Sequence, residues 1–161
     1  MSEAAFIVLA RAIHVMSGVT WAGTAFVLAT VISRAPGNGP GNLARRAGVL
    51  SGISAVLTVL SGLFLFAVLH PHDNSVGGLV LKSGATAALL SLAVGVLIAR
   101  PAGRELARLQ ASRDDRVLSR AALQQLSRLR TRTVVSARVA AALLAVAVLA
   151  MAVFRYAAVV G

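Results

Sequence analysis

The sequence predicts an all-α integral membrane protein, a four-helix bundle, from its hydrophobicity, its long apolar runs and its one-sided arginines. Hydrophobic residues make up 58% of the 161 residues, and the mean hydropathy is +0.83. The apolar runs cover about residues 4–33, 47–69, 78–99 and 134–158. A helix needs about 20 apolar residues to cross a bilayer, so each run is long enough. We therefore expect a single four-span domain over residues 1–161.

The distribution of basic residues predicts the orientation of the spans. Arg34, Arg45 and Arg46 lie between the first two spans, and the long link at residues 100–133 is rich in arginine. The link between spans two and three has neither lysine nor arginine. Because basic loops stay in the cytoplasm, both termini are expected outside, with the protein in the bacterial cytoplasmic (inner) membrane.

The net charge of +11 is explained by loops that face anionic lipid. Nucleic acid is not expected as a partner, because the basic link has no interleaved aromatic side chains for base stacking. The chain has no cysteine, which excludes iron–sulfur clusters, disulfides and covalently attached c-type haem.

The first span carries two ionisable residues in its first half. Arg11 and His14 would be costly in hydrocarbon, so they are expected to face the interior and to mark function. At 100° per residue, Gly18 and Trp21 fall on the same helical face. Gly18 would let another group approach the backbone closely. This face is the candidate cofactor site.

The second span follows a Pro/Gly/Asn-rich stretch at residues 35–42, which ends the first helix. Small residues from Gly48 to Gly62 predict close packing against another helix. A neighbouring stripe of hydroxyls could instead line a cavity, or hydrogen-bond His14 through residues such as Ser54 or Ser61.

The end of span two and the third span supply further candidates. His70 and His72 follow the second span and are weak candidates for a metal site. Lys82 lies about one turn into span three, and Pro101 is expected to close that span. The basic link that follows is expected either to extend the spans as a helical hairpin or to lie on the lipid surface.

The basic groups of the outer half of the bundle have no acidic partner within the spans. Four basic groups would share this half, Arg11, His14, Lys82 and Arg155, and no span supplies an acidic partner. An anion from outside the chain is therefore expected, such as haem propionates, a quinone oxygen, a phospholipid phosphate or a small anion. Snorkelling to lipid phosphates is the alternative. It is preferred for Lys82 and Arg155, and it stays open for Arg11.

A short motif, His14-x6-Trp21-x-Gly23, resembles the first helix of the copper-resistance protein D family and of the four-helix membrane protoporphyrinogen oxidases of bacteria. Leu81-Lys82 lies where those oxidases carry a lysine near the start of the third span. The resemblance implies that His14 binds b-type haem and that Lys82 is functional.

Three functions are consistent with these residues, and the pattern does not specify a catalysed reaction. The first is a redox-active protein that binds haem b, with His14 as an axial ligand of the iron and Arg11 and Lys82 pairing the propionates. Its second axial ligand is expected to be absent or to come from a partner subunit. The second is a non-catalytic accessory subunit or scaffold of a larger respiratory or photosynthetic membrane complex. The third is the handling of copper by the histidines, for which soft ligands are scarce.

Overall fold

A computed structural model of the chain describes residues 2–34, 42–70, 75–111 and 120–160. Outside these residues lie the Pro/Gly-rich stretch at residues 35–41, His72, and Arg113 and Arg116 of the basic link. The described residues form the helices α1 (Glu3–Arg34), α2 (Asn42–Leu69), α3 (Val76–Val94), α4 (Arg100–Ala111) and α5 (Arg120–Val160), with a π-helical turn (Gly95–Ala99) joining α3 to α4. Within this part of the chain, four helical stretches are long and apolar enough to cross a membrane, which confirms that prediction.

The helices pack as two close pairs. Helix α1 lies along α2, α3 lies along α5, and α1 also contacts α5, whereas α2 and α3 scarcely touch. Trp21 of α1 joins the two pairs, because it is buried in one apolar cluster with residues of α2, α3 and α5. These residues are Ala55, Ala87, Ala88, Leu144 and Ala147. Small alanines on the other helices leave the space that the indole ring fills.

Helices α3 and α5 approach each other closely at Gly84. A Cβ atom on Gly84 would lie 2.7 Å from the Cβ of Ala150 and 3.3 Å from the carbonyl oxygen of Ala147. About two turns beyond Gly84 on α3, the Ser91 hydroxyl donates a hydrogen bond to the carbonyl oxygen of Ala140 on α5 at 3.0 Å. Small residues and an interhelical hydroxyl bond are the means by which apolar helices associate in lipid.

Pro101 does not close the third helix, contrary to the prediction. The helix passes through Pro101 and continues to Ala111. Just before Pro101, the Arg100 N–H bonds to the carbonyl of Gly95, five residues back, so the turn is widened into a π turn. Proline lacks an N–H and its ring crowds the preceding turn, and a π adjustment accommodates both effects. Helix α4 then packs on α5 through the buried side chains of Ala102 and Leu106.

Two aromatic contacts fix which helix ends lie together. Phe6 near the start of α1 packs edge-on against Phe64 near the end of α2, with ring centroids 5.3 Å apart. His70 just after α2 packs edge-on against Phe154 near the end of α5, at 6.1 Å. The start of α1 and the ends of α2 and α5 therefore meet at one end of the molecule, which we call the His70 end.

Candidate functional site: a cationic cavity around His14

A cavity of about 750 Å³ lies between the two helix pairs, from the level of Thr58 to the His70 end. Ligand sites in proteins are commonly about 300–1,000 Å³ in volume, so a cofactor or an amphiphile would fit. Its walls are mostly apolar. The lining residues come from all four long helical stretches: Arg11, His14, Val15, Thr58, Val59, Gly62, Leu63, Leu65, Phe66, Leu69, His70, Leu81, Lys82, Ala85, Thr86, Ala88, Leu89, Met151 and Phe154.

The imidazole of His14 is held in one orientation by α2. Its Nδ1 lies 2.9 Å from the carbonyl oxygen of Thr58 and 3.3 Å from the hydroxyl oxygen of Ser61. A carbonyl oxygen only accepts, so Nδ1 carries the proton and donates it. In the neutral ring Nε2 then keeps its lone pair, and no described residue hydrogen-bonds to that atom. Fixing one ring nitrogen through a backbone carbonyl is how proteins orient histidines that ligate metals.

Gly62 provides the space in which the His14 ring lies. A Cβ atom on Gly62 would be 2.8 Å from Cε1 of His14 and 3.2 Å from its Nδ1. Real Cβ contacts are longer than this, so any side chain at position 62 would displace the ring. Gly62 belongs to the small-residue stripe that was predicted to face another helix, and it contacts the His14 side chain of α1.

A line of hydroxyl groups ties α1 to α2 beneath the ring. The Thr58 hydroxyl lies 2.9 Å from the Ser17 hydroxyl and 2.7 Å from the Ser54 carbonyl oxygen, and the Ser17 hydroxyl donates to the carbonyl oxygen of Ile13 at 2.6 Å. Ser17, Ser54 and Thr58 are all buried. These bonds anchor the segment of α2 whose carbonyl accepts the His14 proton, and they satisfy the polar groups that the helix contact buries.

Cationic side chains from two helices line the cavity. Arg11 from α1 and Lys82 from α3 both border it, and His70 adds an imidazole at its outer rim. None of the described residues that line it is an Asp or a Glu. The predicted juxtaposition of Arg11, His14 and Lys82 is thus present, and the cavity offers positive charge to a ligand with an apolar body and acidic groups.

His70 lies among aromatic rings. It stacks on Phe66 at 6.4 Å and meets Phe154 edge-on at 6.1 Å. The candidate partner His72 lies outside the described residues. No group of three His, Cys, Asp or Glu side chains arranged to hold a metal ion occurs in the part of the chain that the structure describes.

The other two residues of the predicted face of α1 lie below the cavity and not in its wall. Gly18 faces Thr58, with a Cβ at position 18 falling 3.6 Å from the Thr58 methyl group. Trp21 is buried, with 5% of its surface exposed, in the apolar cluster that joins the helix pairs. Both residues therefore support the α1 segment that carries His14.

Sequence reasoning missed two features of this site. The backbone carbonyl of Thr58 leaves no signal in a sequence, because every residue has a carbonyl group. Met151 lines the cavity from α5, but a single methionine within an apolar run has no polar neighbour that would single it out. Its spacing from the buried Leu144 could have indicated that it faces inward.

Comparison of the chain with models of protein families, with curated proteins and with solved structures finds no match.

Proposed function

We propose that the protein is a multi-pass membrane protein that binds haem b in the cavity and uses it for electron transfer. The observation that carries this proposal is the orientation of His14: Nδ1 donates to the Thr58 carbonyl, and Nε2 keeps its lone pair within a cavity that can hold a cofactor. An imidazole oriented in this way is suited to ligate iron.

The donor set of the cavity fits haem b in three respects. His14 offers one neutral imidazole nitrogen as an axial ligand. The apolar walls suit the porphyrin body, and Arg11 and Lys82, which both line the cavity, would pair with the propionates. When bound, the haem would supply one-electron redox chemistry, and the chain would hold it and fix the ligand ring.

The same proposal includes a membrane orientation. The helices would form a four-helix bundle with both termini outside and the α4–α5 hairpin in the cytoplasm, as the arginine distribution favours. Exposed arginines on this hairpin, such as Arg104, Arg120 and Arg128, would bind anionic lipid headgroups. Within the hairpin, Arg108 pairs with Glu105 at 3.9 Å.

The experiment that tests the proposal compares the haem content of purified variants. Wild-type protein from haem-replete cells should show a Soret band, and His14→Ala should lose it while remaining inserted and folded. Arg11→Ala and Lys82→Ala should keep the band but release haem more readily, because each loses a charge-assisted hydrogen bond of about 1.5–3 kcal/mol. Equal haem content in His14→Ala and wild type would remove the ligand assignment.

A further inference from the structure

Met151 faces the same cavity as His14 from a different helix. We infer that Met151 is the second axial ligand of the iron, so that this single chain completes a His/Met pair and needs no ligand from a partner subunit. This inference rests on the proposed haem site. It differs from the expectation drawn from the sequence, in which the second ligand was absent or external.

The two residues lie at matched height above the core. Trp21 of α1 and Leu144 of α5 belong to one buried cluster. His14 is seven residues from Trp21, and Met151 is seven residues from Leu144. Toward the His70 end, residue numbers decrease along α1 and increase along α5. The seven residues from Trp21 to His14 and the seven from Leu144 to Met151 therefore both lead toward that end. Each segment covers about 10 Å at 1.5 Å per residue.

The two residues also lie on the inward faces of their helices. Seven residues are nearly two full helical turns, with an offset of about 20°. His14 therefore shares a face with Trp21, which is 5% exposed, and Met151 shares a face with Leu144, which is 3% exposed. Helices α1 and α5 contact one another, so these faces converge on the space between them. Both side chains accordingly line the one cavity.

Other described candidates for the second ligand are less well placed. Met16 is 70% exposed on α1 and does not line the cavity. His70 follows Gly62, where the His14 ring lies, by eight residues, which corresponds to about 12 Å along α2. Its ring is already packed between Phe66 and Phe154.

A methionine at this position has a chemical consequence. Its thioether sulfur is neutral and polarizable, so it adds no charge to a cavity that already holds two cationic side chains. His/Met ligation raises the reduction potential of haem above that of other ligand sets. The site would therefore hold an electron at a comparatively high potential and accept electrons readily from a reduced donor.

The test compares Met151→Leu with Met16→Leu in the full-length protein. Leucine conserves the volume of methionine and removes only the sulfur, a swap that packed interiors tolerate well. Met151→Leu should convert a six-coordinate, low-spin haem spectrum to a five-coordinate, high-spin one and lower the midpoint potential. Met16→Leu should keep the wild-type spectrum and potential.

A third variant, Met151→His, separates ligation from packing. It should restore a low-spin spectrum at a lower potential than wild type, because imidazole replaces the thioether. A low-spin spectrum and an unchanged potential in Met151→Leu would overturn the assignment of Met151 while the His14 site stands. Wild-type protein without any Soret band would overturn the haem site and the Met151 assignment together.

Discussion

The substitution Gly62→Ala places one methyl group against the ring on which the site depends. The new Cβ would lie 2.8 Å from Cε1 of His14 and 3.2 Å from Nδ1, so the ring must move away from the Thr58 carbonyl. Gly48→Ala is the matched control, because a Cβ at position 48 meets nothing within 4 Å. Both changes replace a helical glycine in α2 by alanine.

The expected magnitude follows from three contributions. Overpacking costs about 1–3 kcal/mol, and loss of an interhelical hydrogen bond costs about 0.6 kcal/mol in membrane proteins. Replacement of glycine by alanine gains up to about 1 kcal/mol in helix propensity, and this gain is common to both variants. The free energy of unfolding of Gly62→Ala should thus fall about 1.6–3.6 kcal/mol below that of Gly48→Ala.

A double-mutant cycle assigns this difference to the imidazole. In a His14→Ala background the ring is gone, and Gly62→Ala and Gly48→Ala should have the same free energy of unfolding, measured by denaturation in detergent. Gly62→Ala alone should also lose haem. A difference that persists without His14, or a Gly62→Ala variant as stable as Gly48→Ala, would show that Gly62 does not hold the ring.

Three further predictions concern the framework of the molecule. Gly84→Ala should destabilise the protein by about 1–3 kcal/mol, because its methyl group would meet Ala150 of α5 at 2.7 Å; unfolding as stable as wild type would contradict this close approach. Trp21→Ala should cost about 3–5 kcal/mol, since it empties the cluster that joins the helix pairs, and a cost below about 1 kcal/mol would contradict that role. Single cysteines at Ser2 and Ser127 should react with an impermeant thiol reagent from opposite sides of the membrane, because the chain has no other cysteine; labelling of both from one side would overturn the proposed orientation.

The helices could be predicted from the sequence because each apolar run is long enough to span a bilayer. What failed was the treatment of Pro101 as the end of a helix. That expectation assumes an unbroken α-helical pattern of hydrogen bonds, whereas here the π turn at Gly95–Ala99 absorbs the proline and the helix continues to Ala111.

The candidate site was predictable to the extent that charge and helical periodicity marked it. Arg11, His14 and Lys82 stand out because each is ionisable within an apolar run, and all three line the cavity. The hydrogen bond of His14 to Ser61 was one of the alternatives foreseen, and it is present beside the shorter one to the Thr58 carbonyl.

What the sequence did not reveal depends on how two helices are rotated against each other. The glycines of the small-residue stripe on α2 have different surroundings. Gly52 lies against the guanidinium of Arg100 and Gly62 lies against the ring of His14, whereas a Cβ at Gly48 would meet nothing within 4 Å. Met151 likewise becomes a candidate ligand only when α5 is known to lie beside α1.

The most direct test of the account is chemical rescue of the variant His14→Gly with imidazole. The variant removes the proposed axial ligand and leaves space for a free imidazole molecule beside Gly62. Without imidazole, the purified variant should lack the Soret band, and addition of haem with imidazole should restore a low-spin spectrum. The same addition should leave the wild-type spectrum unchanged, because His14 already occupies the ligand position. A Soret band of wild-type intensity in His14→Gly without imidazole would contradict the central claim that His14 ligates the haem iron.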